Sequence, residues 1–296
     1  MKGHGRMIRV VSWNIFKKWE PWRELAEMAR RGEADVALLQ EAGNQPPDLA
    51  QPLRCGSDEF WKGQQHEGRP IYDRWPLVVQ LSDRVEVEWF RAVPPISHLG
   101  EHDIAVSGIG TIAAARVTPR GRPQEDAIIA VSMYARYMKP HPSTRTSWSV
   151  GAPDVSAHRI LSDISAFIGH EDPSRHRILA AGDLNMIYGA TGNTLALPER
   201  EKAFWDRVAA LGLQFLGPQA PDGWQPSGPQ PDVPPETKNV PTWVQIGRKP
   251  EEANRQFDYA IASRGFHERV TVRALNRADE WGPSDHCRLL IEVATE

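Results

Sequence analysis

Cysteine is nearly absent. Cys55 and Cys287 are the two in 296 residues, too few for a disulfide scaffold and compatible with a reducing compartment. Long apolar runs are missing too. None approaches the roughly 20 residues that cross a bilayer, and the first ten residues, MKGHGRMIRV, lack the apolar core of a secretory signal. No membrane association and a cytoplasmic address are therefore expected. There is no excess of positive charge either. Lys plus Arg number 35 and Asp plus Glu 38, a net charge of −3, so any nucleic-acid contact has to come from a local patch. What remains is ordinary: 40% hydrophobic and 25% charged residues exclude general disorder. The length allows one large or two average domains. With no internal repeat and no linker, a single domain spanning 1–296 is expected, monomeric by default.

Short apolar, β-branched runs recur at Ile8–Trp13, Asp35–Leu39, Pro76–Leu81, Val85–Phe90, Gly110–Val117, Ala127–Tyr134, Arg177–Ala181, Phe257–Ala262, Val270–Ala274 and Cys287–Val293. Each is strand-sized and bounded by turn residues or charge. Helical spacing is confined to three stretches. Pro21–Arg31 lines up Trp22, Leu25 and Ala29 and stops at Gly32; Ala157–Gly169 follows Ser156 as N-cap; Pro198–Leu211 opens on proline and ends at Gly212. Many strands with few helices predict an α/β sandwich of two packed sheets with helices outside. Gly217–Pro235 carries seven prolines in nineteen residues, a long irregular loop of the kind that serves either function or mere surface excursion. Glu41–Pro76 is a second strand-poor stretch.

Polar residues fall at the ends of these strands. Ile8–Trp13 leads into Asn14, Asp35–Gln40 into Glu41, and Arg177–Gly182 into Asp183-Leu184-Asn185. Later in the chain the order reverses: Asp258 opens its strand, and Ser284-Asp285-His286 precedes Cys287–Val293. If the later strands run antiparallel to the earlier ones, all these groups converge on one rim. Four carboxylates, two carboxamides and one imidazole there call for a cation. Oxygen donors without a Cys or His cluster select Mg²⁺ or Mn²⁺ over zinc. Singly, each residue has a plain reading as a turn cap, a solvated strand-end charge or a capping pair. Together and in order they are specific.

The series Ser-Trp-Asn-Ile (12–15), Leu-Leu-Gln-Glu (38–41), Gly-Asp-Leu-Asn (182–185), Phe-Asp-Tyr (257–259) and Ser-Asp-His (284–286) resembles the endonuclease/exonuclease/phosphatase superfamily of DNase I-like proteins. The resemblance implies a four-layer α/β sandwich of two mainly antiparallel sheets flanked by helices, and metal-dependent hydrolysis of a phosphate ester. It implies Glu41 as principal metal ligand with Asn14, and Asp285 as a further acid near the metal. Asp183 would position or deprotonate the attacking water, and Asn185 would hold phosphate oxygens. His286 would meet the scissile phosphate, with Asp258 orienting it. The chemistry is coherent: a metal offsets the charge of the ester, a carboxylate handles the water, and an Asp-paired His suits an anionic transition state.

For the substrate, Tyr134–Arg159 is the most suggestive stretch. Arg136, Lys139, Arg145 and Arg159 face one acid, Asp154, with Tyr134, Tyr137 and Trp148 interleaved, a composition suited to phosphates and stacked bases or to a solvated loop over a packed tryptophan. Arg136 and Arg145 are the expected substrate contacts. Tyr134 resembles a tyrosine of the exonuclease III and apurinic-endonuclease branch, expected to be catalytic, but Ala-Arg-Tyr follows where that branch carries Val-Pro-Asn. Asn-Val-Pro-Thr-Trp (239–243) resembles the segment before the Asp-Tyr strand, placing Trp243 beside a base, a sugar or the core. A nuclease acting on DNA or RNA is the first reading. A phosphatase or phosphodiesterase for a small or lipid-linked phosphate is the alternative. A binding module without catalysis is disfavoured by the complete residue set.

Overall fold

The apolar runs pair into two sheets. The computed structural model describes residues 7–56, 60, 65–66, 69–70, 75–108, 111–146, 151–170, 172–192 and 197–295. Its strands are β1 (Met7–Asn14), β2 (Val36–Gln40), β3 (Arg54–Cys55), β4 (Gln65–His66), β5 (Arg69–Pro70), β6 (Leu77–Gln80), β7 (Val85–Trp89), β8 (Arg91–Val93), β9 (Asp103–Ala105), β10 (Thr111–Pro119), β11 (Ile128–Tyr134), β12 (Ile178–Asp183), β13 (Leu213–Gly217), β14 (Asp258–Ser263), β15 (Val270–Leu275) and β16 (Arg288–Ala294). One six-stranded sheet has the order β15-β16-β1-β2-β6-β3 and the other β13-β14-β12-β11-β10-β7. In each, one central pair is parallel, β1 with β2 and β11 with β12. The remaining pairings are antiparallel. The expected sandwich of mainly antiparallel sheets is the observed one.

Strands buried on both faces read as unbroken apolar runs rather than alternating ones. In β1, Ile8 and Val10 join a core with Val36 and Leu38 of the same sheet and Ala130, Leu179, Ala181 and Ala260 of the other. Val11 and Trp13 turn the other way, onto Trp22, Leu25 and Met28 of helix α1 (Trp19–Arg31). Gly32, left-handed at φ 67°, ends α1, where its missing side chain makes that conformation cheap. Helices α2 (Asp154–Ile164) and α3 (Pro198–Ala210) bury Ile160, Leu161, Phe204 and Val208 with residues of the second sheet. No helix among the described residues is long and apolar enough to cross a membrane.

Ser156 is not the α2 N-cap. The helix starts two residues earlier, with Asp154 in its first turn, and Ser156 Oγ instead accepts from Arg136 N at 2.9 Å. An early carboxylate favours that start through the helix dipole. β8, β9 and β13 were not expected. β13 is half-buried along its middle and lacks a clean two-residue period. Gly110 and Trp148 lie outside the described residues.

Candidate active site

Parallel and antiparallel pairings bring the polar strand ends to one edge of the sandwich. Asn14 pairs in register with Gln40, so Glu41 follows directly beside it at the tip of β2. Tyr134 pairs with Asp183, and Asp183 with Asp258. The strand before Asp183 admits only glycine at 182, because a Cβ there would lie 1.9 Å from Met133 O. Beneath this edge Gln40 Nε2 donates across the sheets to Ser132 Oγ at 3.0 Å.

At the edge itself the sheets are joined by side chains. Asn14 Nδ2 donates to Asp183 Oδ2 at 2.9 Å, and Asn14 Oδ1 accepts from Phe16 N at 3.0 Å. Asn185 N donates to Asp183 Oδ1 at 2.8 Å. His286 Nδ1 lies 2.8 Å from Asp258 Oδ2, and His286 Nε2 faces Asp183 Oδ2 at 3.8 Å. Asp183, Asp258 and His286 are all buried, with ligand-capable atoms within 4.8 Å of one another. Burial pushes the Asp183 carboxyl up to about 7; the Asp258 charge adds to this, while His286 and the bonds from Asn185 and Asn14 oppose it. Burial works against a charged His286, but Asp258 and Asp183 outweigh it and carry the imidazole up to about 10. At neutral pH the ring is a cation held between two carboxyls.

Asn14, Asp183, Asn185, Asp258 and His286 are thus brought together. Glu41 is buried at the β2 tip with a left-handed backbone, φ 47°. Asp285 is half-buried, and its neighbour Ser284 donates to Asn14 O at 2.7 Å. Tyr134 is buried at the end of β11. Trp243 is half-buried, bridges His286 through its backbone and packs 5.3 Å from Phe257. Arg136 sits two residues past Tyr134, its backbone anchored on Ser156. Arg145 differs: it is exposed at the end of the 3₁₀ turn Pro142–Thr144, and no hydrogen bond or ion pair among the described residues ties it to the cluster.

Several positioning contacts were not legible beforehand. Thr242 Oγ1 accepts from Phe257 N and Asp258 N at 3.0 and 3.1 Å, fixing the entry of β14. Trp13 Nε1 donates to His286 O at 2.9 Å. Asn185 directs Nδ2 at Ala135 O, 3.0 Å, and at Asp183 Oδ2, 3.2 Å. Both amide protons are therefore engaged within the protein. Tyr137 follows Arg136 and is exposed; desolvation and then the charges of Asp183 and Glu201 raise its phenol. Its sequence signal was its place among the aromatics interleaved in the basic 134–159 stretch.

A profile of the endonuclease/exonuclease/phosphatase family matches residues 11–286. No curated protein matches the chain by sequence. Among solved structures, the chain is similar to the AP endonuclease LMAP from Leishmania major, with a TM-score of 0.61 and 16% identity, covering 98% of this chain and 88% of that one. It is also similar to the endonuclease domain of TRAS1, a telomere-specific non-LTR retrotransposon, with a TM-score of 0.56 and 18% identity over 97% and 98% of the two chains. The 3′-5′ exonuclease NExo from Neisseria meningitidis gives 0.55 and 15% over 97% and 99%. A match across nearly the whole length, spanning every strand end of the cluster from Asn14 to His286, defines the class. The chain belongs to the endonuclease/exonuclease/phosphatase family.

Proposed function

We propose that the chain, acting as one catalytic domain, is a divalent-cation-dependent phosphodiesterase that hydrolyses nucleic acid. The observation that carries this reading is the run of contacts Asp258–His286–Asp183, with Asp183 held from two sides by Asn14 and Asn185. An imidazolium fixed through Nδ1 presents Nε2 to an anionic centre, stabilising charge that grows on phosphate oxygens. A carboxyl near 7 gains a proton from water at small cost, as a general base at neutral pH should. Asn185, with both amide protons engaged, positions Asp183 instead of gripping phosphate in this geometry.

The donor set fits a hard cation. Glu41 supplies a carboxylate, Asn14 a carboxamide oxygen with a second lone pair, and Asp285 a further carboxylate, with no thiol among them. The Asp183–Asp258–His286 group already contains its own cation, the imidazolium, which opposes a metal there. Mg²⁺ or Mn²⁺ at Glu41, when bound, would offset charge on the ester and on the departing oxygen. Nucleic acid is favoured over a lipid-linked ester because the similar structures named above are nucleases, Arg136 and Tyr137 follow closely on Tyr134 in the chain, and the backbone of Trp243 bridges that of His286.

The test is hydrolysis of single- and double-stranded DNA, RNA and a panel of phosphomonoesters with Mg²⁺ or Mn²⁺, using Asp183→Asn as control. Turnover of a polynucleotide that stops in excess EDTA and returns with metal supports the reading. Turnover confined to monoesters, or undiminished in chelator, sinks it.

A further inference from the structure

The turn between β1 and α1 has no part in the catalysis described so far, yet its conformation is unusual. Phe16 and Lys17 both adopt left-handed backbone, φ 49° and 58°, rare for side chains of this kind. Among the described residues six non-glycine positions have positive φ, and Phe16, Lys17, Glu41 and Asn185 are four of them. Such strain concentrates where the surrounding structure holds a functional arrangement in place.

The turn is held at each residue. Phe16 N donates to Asn14 Oδ1, Lys17 N to Glu41 O at 2.8 Å and Lys18 N to Ile15 O at 3.0 Å. The Lys18 ammonium donates to Pro283 O at 3.1 Å, two residues before Asp285. The turn therefore forms a rigid wall joining the Glu41 tip to the 283–285 loop. It presents the half-buried Phe16 ring with Lys17 and Lys18 ammonium groups about it, 6.0 and 5.7 Å from its centroid. Next comes Trp19, one of the few large apolar side chains left exposed. Two aromatics and two lysines in four residues sit directly beside the proposed metal ligands.

We propose that Phe16, Lys17 and Trp19 form a platform for an unpaired nucleic-acid strand entering the site, the rings stacking on bases and the lysine meeting a backbone phosphate. The proposal rests on the phosphodiesterase reading above and narrows its substrate to single-stranded or locally unpaired nucleic acid. The choice follows from charge and shape. The chain carries −3 overall, Glu20 follows the lysines in sequence, and Asp285 is two residues from the carbonyl that Lys18 contacts, so the field available to a duplex that offers only its phosphates is weak. Exposed ring faces next to the site add a gain that only unstacked bases can collect.

The experiment uses the full chain carrying Asp183→Asn, which holds substrate without turnover. Anisotropy of a labelled single strand of about 12 nucleotides is compared with that of the same sequence as a blunt duplex. Phe16→Ala and Trp19→Ala should each weaken single-strand binding about tenfold and duplex binding less than about twofold. Lys17→Ala should reduce the slope of log affinity against log salt by about 0.7. Thermal melts verify folding; Phe16→Tyr against Phe16→Leu, and Trp19→Tyr against Trp19→Leu, ask the same question with smaller changes, the tyrosines retaining affinity and the leucines losing it. Equal losses for strand and duplex, no loss for either, or no binding of the single strand overturn the platform. Hydrolysis by the wild type without dependence on Phe16 or Trp19 removes the platform and leaves the enzyme. Ring-dependent strand binding without hydrolysis of any phosphodiester removes the enzyme and leaves the platform.

Discussion

Two aspartates, Asp35 and Asp183, are buried equally, each 1% exposed, at opposite ends of the sandwich. Asp35 precedes β2, at the end away from the site. Its Oδ2 accepts from Arg9 N at 2.9 Å, and its Oδ1 accepts from Ser82 Oγ and from Arg84 Nε at 2.8 Å. A backbone amide, a hydroxyl and a guanidinium answer the carboxylate there, and its work is to tie β1 to the β6–β7 turn. Asp183, ending β12, receives only neutral amides, faces another carboxyl across β14, and meets its cation at 3.8 Å. The same residue under the same burial is neutralised in one place and left unsettled in the other. The Asp183 carboxyl, raised by burial, can take a proton during a reaction.

Substituting both aspartates separates the two roles most sharply. Asp183→Asn should lower turnover about 10³-fold with an unchanged or raised melting temperature, since a buried carboxyl that resists ionisation is removed. Asp35→Asn should destabilise the fold by about 1–2 kcal/mol, discounted because Arg84 is largely exposed, with activity per folded molecule retained. Steady-state kinetics beside denaturant melts measure both, and an Asp35 variant as inactive as the Asp183 variant would erase the contrast. His286→Ala comes next, with a loss of about 10²-fold in kcat and little change in KM, because the imidazolium acts on charge that develops during reaction.

Asp258→Asn should cost less rate but displace the pH profile. Its carboxylate raises both partners, so removing it lowers both. The bell of kcat/KM, with a rising limb near 7 from Asp183 and a falling limb near 10 from His286, should move to lower pH on both sides. For stability, the imidazole raised above its unfolded value contributes fully below that value and loses the contribution as pH climbs through about 10. Imidazole NMR titration reads the shift directly, and a fixed high-pH limb would place Asp258 outside the pair.

The smallest effect concerns Glu201, buried on α3 and raised by burial to about 8, with Ile187 N donating to it at 2.8 Å. An acid raised in the folded state costs stability as pH climbs from its unfolded value, near 4.5, through about 8. Glu201→Gln should flatten that decline by a few degrees in melts between pH 5 and 9, leaving the catalytic profile where it was. A wild type equally stable at both pH values contradicts this.

Much of the frame was legible because it rests on local pattern. Runs such as Ile8–Trp13 and Arg177–Ala181 form strands wherever both faces can be covered, and turn or charged residues mark their ends, so Asn14, Glu41 and Asp183 could be placed at strand termini before any fold was known. Helix α1 ended at Gly32 as its sequence required. β13 was not legible, because its burial comes from α3 above it and β14 beside it. Ser156 looked like a cap and instead holds the backbone of Arg136. Arg145 was expected to meet phosphate from composition; it is exposed at the end of a 3₁₀ turn, and its direction is set by a loop that composition does not describe.

By itself the sequence determined which residue types stand at which strand ends, since apolar periodicity and turn chemistry act within a few residues. It also carried the motif order from Ser12 to His286. What only the tertiary structure decided is which of those groups meet. Asn14 reaches Asp183 across 169 positions of chain, and His286 reaches Asp258 across 28. The protonation of a buried carboxyl is set by those distant neighbours through the distance dependence of charge interactions and the loss of water. Asp35 and Asp183 each adjoin a short apolar run and look alike in sequence; packing gave one a guanidinium and the other a second carboxyl.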